Sequence, residues 1–269
     1  MDLAPVGLNP RTRAFYVRSL AVLNEAGVPF LVGGAYALTK HAAVERHTKD
    51  LDIFLRKDDR DSILGALEQA GYRTELSFPH WLAKAYSDDG FIDVIYSSGN
   101  GVVRVDEEWF TYAPEGEILG VPVKLCPAEE MIWSKAYVQE RERFDGADIA
   151  HLIRSRGENL NWGRLVRRFG EHWRVLFGHL VTFGFIYPAE RSKIPAWLLR
   201  ELSRRLITEI EEPCPQGQTC FGTLLSREQY LPDIGQWGYH DARLTPAGPM
   251  APEEVAHWTA AIAASKLEH

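Results

Sequence analysis

Three aspartates occupy positions in predicted strands where an unpaired acid would be costly. Asp50 and Asp52 alternate with apolar residues, so both acids point to one face of a strand while their neighbours point into the core. Asp93 lies in Phe91–Tyr96, which is otherwise apolar on both faces and is typical of a central strand. Close carboxylates repel each other and a buried acid needs a partner, so the pattern predicts a compensating cation nearby.

Two kinds of cation fit this requirement. A shared pair of Mg²⁺ ions, with Mn²⁺ as the alternative, would satisfy all three acids, because magnesium prefers oxygen ligands and completes its shell with water and substrate phosphates. The other interpretation is an acidic cluster at the strand ends that pairs with lysine or arginine, for which Lys49 and Arg46 are near in sequence.

A glycine pair precedes the acids. Gly33 and Gly34 follow a short apolar run that is predicted to be a buried strand, and a helix is predicted after them. Glycines allow the backbone to approach phosphate oxygens, and N–H groups at a helix start face an anion. Thr48 and Lys49 come directly before Asp50 and are candidate phosphate-binding residues at the substrate entrance. Together these segments predict a site for phosphate groups, such as those of a nucleoside triphosphate (NTP).

The order of these segments resembles the DNA polymerase β-like nucleotidyltransferase superfamily over roughly residues 28–153. The resemblance implies that Asp50, Asp52 and Asp93 bind metal and are catalytic. It also implies an enzyme that transfers a nucleoside monophosphate (NMP) from an NTP to a hydroxyl acceptor. The gap between the glycine pair and Asp50 is longer than the family's commonest spacing.

A narrower resemblance connects the chain with bacterial abortive-infection (AbiE-type) transferases. Leu31–Ala35 and the segment 46–52 look like the corresponding motifs of those proteins, which also carry a helical lysine and a downstream Lys-Asp-x-x-Asp-like motif. Lys135 fits that lysine as a candidate triphosphate contact, although it could equally be a solvated helix residue. The segment 144–148 fits the motif, with Phe144 where a lysine is usual. This resemblance implies a toxin–antitoxin context, with an antitoxin or another protein as partner.

The hydrophobic patterns predict an α+β fold, with a mixed sheet flanked by helices and a mainly helical C-terminal half. We expect a catalytic domain over residues 1–140 and a helical region over 141–266, in which 162–177 is predicted to form one helix. Residues 213–252 are rich in Gly, Pro and aromatic side chains, which is typical of a long ordered loop. Residues 267–269 resemble the start of a purification tag.

The chain has a net charge of −7, so its overall field does not attract nucleic acid. Arg154–Arg174 is a local exception, since six arginines stand there against Glu158 and Glu171. This stretch could bind an RNA backbone, although an ordinary solvated helix face has the same composition. The acceptor hydroxyl could therefore belong to RNA, a protein side chain or a small molecule.

The sequence shows no apolar run of signal-peptide or membrane-spanning length, and three cysteines do not indicate a disulfide framework. We therefore expect a cytoplasmic protein without membrane contact. The favoured function is a Mg²⁺-dependent nucleotidyltransferase. The alternative is a toxin-like or regulatory nucleotide-binding module with weak or no turnover.

Overall fold

The structure is a computed structural model that describes residues 8–44, 48, 50–246 and 248–266, without the side chains of 262–266. Two compact units are present. The first comprises Met1–Pro127 together with Met250–His269, and the second comprises Ala128–Pro249.

The first unit contains the main sheet. Its strands are β1 (Leu31–Val32), β2 (Asp50–Phe54), β3 (Arg73–Phe78), β4 (Leu82–Ser87), β5 (Gly90–Ile95), β6 (Glu115–Ile118) and β7 (Val121–Lys124). Its helices are α1 (Pro10–Ala26), α2 (Gly34–Ala42), α3 (Arg60–Gln69), α4 (Glu107–Thr111) and, from the C-terminal segment, α11 (Pro252–Lys266). The predicted mixed α+β fold is confirmed.

The first five strands form one mixed sheet in the order β1-β2-β5-β4-β3. β2 and β5 are parallel, whereas the other three neighbouring pairs are antiparallel. The strands β6 and β7 form a separate hairpin. This order places β5 between β2 and β4, so residues of β5 have cross-strand partners on both sides.

The sheet has one closed and one half-open face. Leu51, Ile53, Ile92 and Val94 are fully buried on the closed face. The alternate residues of β2 and β5 are only half-buried. The predicted central strand is confirmed as β5, which pairs on both sides, although its second face is only partly covered.

Local sequence accounts for the ends of several helices. The side chain of Asn9 accepts a hydrogen bond from the Arg11 backbone N–H (2.9 Å) and Pro10 opens α1, as is typical of a helix start. Gly27, with φ +67°, ends this helix in the left-handed region. The side chain of Asp106 caps α4 by accepting from the Glu108 N–H (3.0 Å).

The second unit is mainly helical. Its helices are α5 (Ala128–Ala136), α6 (Gly146–Arg156), α7 (Trp162–Phe169), α8 (Trp173–Ile186), α9 (Ala196–Glu211) and α10 (Leu231–Gly235). Two short parallel strands, β8 (Thr219–Cys220) and β9 (His240–Asp241), pair within it.

Two sequence-based expectations need correction here. The single helix predicted over 162–177 is interrupted, because Gly170 adopts φ +51° and a 3₁₀ turn over Gly170–His172 separates α7 from α8. The region 213–252, predicted to be a loop, contains β8, β9 and α10 and the start of α11. Within the described residues, no helix is both long and apolar enough to cross a membrane.

Candidate active site

The three aspartates converge on the half-open face of the sheet. Asp50 and Asp52 stand on β2, and Asp93 stands on β5 directly opposite Asp52 in the parallel register. One carboxylate oxygen from each residue lies within 4.8 Å of the others, and all three side chains are half-buried. Asp52 and Asp93 are 41 positions apart in the sequence, yet they lie in one cluster.

The glycine pair lies against this cluster. Gly33 donates its backbone N–H to the carbonyl oxygen of Asp52 (3.0 Å), which fixes the start of α2 beside β2. Gly34 has φ +54°, and a Cβ at this position would collide with the Asp52 carboxylate. A side chain on Gly33 would collide with the Phe54 ring. The close approach of the α2 N-terminus to the acids therefore requires glycine at both positions.

Thr48 holds the carboxylate of Asp50. Its hydroxyl donates to Asp50 Oδ1 at 2.5 Å, and the Asp50 backbone N–H approaches the same hydroxyl oxygen at 3.4 Å. This contact orients the acid that begins β2. The two basic residues considered for this region, Arg46 and Lys49, lie outside the described residues.

Lys84 is a site residue that the sequence analysis missed. It stands on β4 directly opposite Asp93, and its Nζ lies 2.5 Å from Asp93 Oδ1. The lysine and aspartate side chains have exposed fractions of 23% and 15%, so this ion pair is shielded from bulk water. In the sequence, Lys84 is a single lysine within a predicted strand. Only the pairing of β4 with β5 identifies Asp93 as its partner.

Two tyrosines border the acids in the first unit. Burial raises the pKa of both tyrosines above the ordinary value; Tyr36 and then Asp50 add to the increase at Tyr16, and Asp50 adds to it at Tyr36. Both hydroxyls therefore stay protonated at neutral pH. The Tyr36 hydroxyl is buried and has no hydrogen-bond partner among the described residues.

The acid cluster fits a divalent metal ion. Three carboxylate oxygens within 4.8 Å of one another are a hard, anionic donor set of the kind that Mg²⁺ prefers. Because Gly34 has no side chain, the Asp52 carboxylate packs directly against the N-terminus of α2. The cluster thus has the ligand chemistry for such an ion.

Lys135 belongs to the second unit, on α5. Its Nζ lies 2.9 Å from both Asp145 Oδ2 and Asp148 Oδ2, and its side chain is largely buried. Burial by itself would lower the pKa of Lys135, but the two acids outweigh it and raise the pKa above the ordinary value. The interpretation as a solvated helix lysine is wrong. The structure gives Lys135 two internal carboxylate partners.

The arginines of 154–174 do not form an open basic strip. Arg164 is 3% exposed and lies 2.7 Å from Glu129 and 3.0 Å from Glu130. Arg168 also contacts Glu130 (3.4 Å). Two further pairs join Arg154 to Glu190 and Arg174 to Glu209. Four of the six arginines therefore pair with acids within the unit, which leaves less positive charge for an RNA backbone than the sequence suggests.

Comparison with known proteins gives a match over the part of the chain that carries the acids. A family model described as aminoglycoside-2''-adenylyltransferase matches residues 17–101, less than half of the chain. This range contains the glycine pair and all three aspartates. No curated protein matches the chain.

Solved structures of three proteins are among those similar to parts of this chain. The antibiotic-resistance factor ANT(2'')-Ia is 21% identical, with a TM-score of 0.44, over 62% of this chain and 95% of that chain. The lincosamide antibiotic adenylyltransferase LnuA is 16% identical, with a TM-score of 0.39, over 52% of this chain and 94% of that chain. An antigenic nucleotidyltransferase-like protein from Paracoccidioides brasiliensis is 15% identical, with a TM-score of 0.42, over 68% of this chain and 91% of that chain.

The fold, the acid cluster and the family match together define a nucleotidyltransferase, which confirms the predicted enzyme class. Within that class, the matching family model is the aminoglycoside-2''-adenylyltransferase model.

Proposed function

We propose that this chain transfers an NMP group from an NTP to a hydroxyl of a small-molecule acceptor, with release of pyrophosphate. The observation that carries the proposal is the convergence of Asp50, Asp52 and Asp93 beside Gly34. The family match over the same residues supports it. A small-molecule acceptor is favoured because the matching family is described by an aminoglycoside reaction, while the arginines considered for RNA are engaged in ion pairs.

Each part of the site has a role in this proposal. Asp50 and Asp52 would hold a divalent ion, Mg²⁺ or Mn²⁺, with Asp93 completing the acidic set. When bound, the ion supplies positive charge that stabilises the attacking and leaving oxygens of the phosphoryl transfer. Gly33 and Gly34 would let the N-terminus of α2 approach the triphosphate, where backbone N–H groups favour an anion.

Roles for Asp93, Thr48, Lys49 and Lys135 complete the assignment. Asp93 would face the acceptor and orient its hydroxyl, because it stands on the strand next to the Asp50–Asp52 pair. Thr48 would act indirectly, through its hydrogen bond to Asp50, and Lys49 beside it stays a predicted phosphate contact. Lys135 also stays a predicted triphosphate contact, and the two acids around it would keep its ammonium charged.

Activity can be tested without assuming the base or the acceptor. The full chain with Mg²⁺ is incubated separately with ATP, GTP, CTP and UTP and with three acceptor sets: aminoglycosides, lincosamides and RNA 3′ ends. We expect pyrophosphate release only with a small-molecule set, and a mass increase of one NMP on the acceptor. Transfer to RNA alone would contradict the acceptor proposed here.

Asp52→Asn is the matched test of the site. It should abolish transfer and also the rise in melting temperature that Mg²⁺ plus NTP produces, because a ligand bound to the native state stabilises it. The control is Asp61→Asn, whose carboxylate is 81% exposed on α3 and pairs with Arg60. An undiminished metal response in Asp52→Asn would show that the ion binds elsewhere.

A regulatory or toxin-like module with weak or no turnover is the second candidate. The Lys84–Asp93 ion pair favours it, because a lysine at Asp93 can neutralise that acid without a metal ion. The AbiE-type resemblance and an antitoxin partner belong to this candidate. Nucleotide-dependent stabilisation without pyrophosphate release, across all acceptor sets, would select it over the enzyme.

A further inference from the structure

Four strands of the sheet place a row of charged residues side by side. The register aligns Asp52 of β2 with Asp93 of β5, Asp93 with Lys84 of β4, and Lys84 with Glu75 of β3. Residues paired in this way point to the same face of the sheet. A lysine is therefore built into the row at the position next to the third acid.

The ammonium group of Lys84 is directed toward Asp93. Its ammonium lies 2.5 Å from Asp93 Oδ1 and 4.4 Å from the centre of the Phe91 ring, so a carboxylate and an aromatic face both bind it. On the other side of Lys84, the Glu75 carboxylate accepts hydrogen bonds from the side chains of Arg73 (3.2 Å) and Ser77 (3.1 Å). The neighbours of Lys84 thus direct its charge toward the metal site.

The position of this ammonium conflicts with a second divalent ion. In two-metal sites the ions lie about 3.5–4 Å apart, and Mg²⁺ lies about 2.0–2.1 Å from its oxygen ligands. A second ion on Asp93 would therefore stand close to the Lys84 ammonium and be repelled by it. One divalent ion and one lysine together carry three positive charges, which equals the charge of the three carboxylates.

We propose that the Lys84 ammonium takes the place of one of the two divalent ions, so that the acid cluster binds a single ion. This inference rests on the proposed function, since it assigns the metal content of the same site. In this arrangement Lys84 is a positioning residue. It fixes Asp93 and supplies positive charge on that side of the cluster.

The test counts bound ions directly. Mn²⁺ alone is titrated into the full chain, and bound ions are counted by electron paramagnetic resonance, in which two ions a few ångströms apart give a coupled spectrum. We expect one uncoupled ion in the unaltered protein and in Lys84→Arg, which keeps the charge. We expect two coupled ions in Lys84→Met, which opens the position next to Asp93.

The control is Lys124→Met, which removes a strand lysine that pairs with Glu115 (3.8 Å) in the β6–β7 hairpin. It should still bind one ion. Two coupled ions in the unaltered protein would overturn the inference, as would a single ion in Lys84→Met, and neither result affects the proposed function. Absence of any Asp52-dependent ion would overturn both. If Lys84→Met fails to fold, the count in the unaltered protein still decides between one ion and two.

Discussion

At the scale of single residues, Gly34 determines how closely Asp52 and the start of α2 can approach. Its φ of +54° lies in the left-handed region, and the space where a Cβ would stand is filled by the Asp52 carboxylate. The left-handed backbone and the lack of space for a Cβ are therefore two separate reasons for glycine at position 34. They can be separated by comparing Gly34 with Gly27, which has φ +67° but no atom within 4 Å of its Cβ position.

Gly34→Ala should displace the Asp52 carboxylate and abolish both NMP transfer and the metal-dependent rise in melting temperature. It should also lower the free energy of unfolding by about 1–2 kcal/mol, the usual cost of a left-handed non-glycine residue. Gly27→Ala should lose a similar amount of stability because its backbone strain is similar, but should keep the metal response. Thermal unfolding of both variants, with and without Mg²⁺ and NTP, makes the comparison. Equal loss of the metal response in both would contradict this role of Gly34.

At the scale of elements, α5 and α7 are joined by a buried ion network. Glu130 is fully buried and contacts Arg164 and Arg168, while Glu129 contacts Arg164. Burial raises the pKa of Glu130 to about 7, and the two arginines limit the increase. Because this folded-state pKa is above the unfolded value of 4.5, the contribution of Glu130 to stability falls as pH rises from 4.5 to 7.

Arg164→Gln should destabilise the second unit by about 3–5 kcal/mol at pH 8, because it leaves a buried carboxylate with one arginine fewer. The loss should be smaller at pH 5, where Glu130 is protonated in the folded protein and needs no cation. Chemical unfolding at the two pH values measures the difference. Arg156→Gln, at an exposed position of α6, should change stability by less than about 0.5 kcal/mol. An effect of Arg164→Gln confined to RNA affinity would favour the basic-strip interpretation instead.

At the scale of the whole molecule, the chain leaves the first unit at Pro127 and returns to it at Met250. The returning helix α11 contacts β3, and its Trp258 lies where a Cβ on Gly99 would stand. The centres of the His80 and Trp258 rings lie 6.4 Å apart in an edge-on arrangement. Nε2 of His80 forms a hydrogen bond with the carbonyl oxygen of Gly99 (3.0 Å). The C-terminal helix is therefore a structural part of the sheet-bearing unit.

Trp258→Ala should lower the stability of the first unit by about 2 kcal/mol, less than the roughly 3–5 kcal/mol of a fully buried tryptophan, because Trp258 is half-buried. Hydrogen exchange should show faster exchange in β3 and around residues 97–101, with α6 to α9 unchanged. Trp237→Ala is the control, since this side chain is 65% exposed. Loss of protection in the second unit instead would show that α11 supports a different part of the chain.

Local sequence by itself determined much of the site. The alternation around Asp50 and Asp52 placed both acids on one face, because side chains of a strand repeat every two residues. The glycine pair marked the start of a helix, observed at Gly34, where backbone conformation is a local property. These features depend on neighbours in sequence, so a single sequence contains the information for them.

Only the tertiary structure decided which residues meet across the sheet and between helices. The pairing of β5 with β2 and β4 brought Asp93 to Asp52 and placed Lys84 on Asp93. The packing of α5 with α7 turned Arg164 from a candidate surface charge into a buried partner of Glu130. Strand order, register and helix packing are set by the burial of distant apolar faces against one another, and that information is not contained in any local pattern.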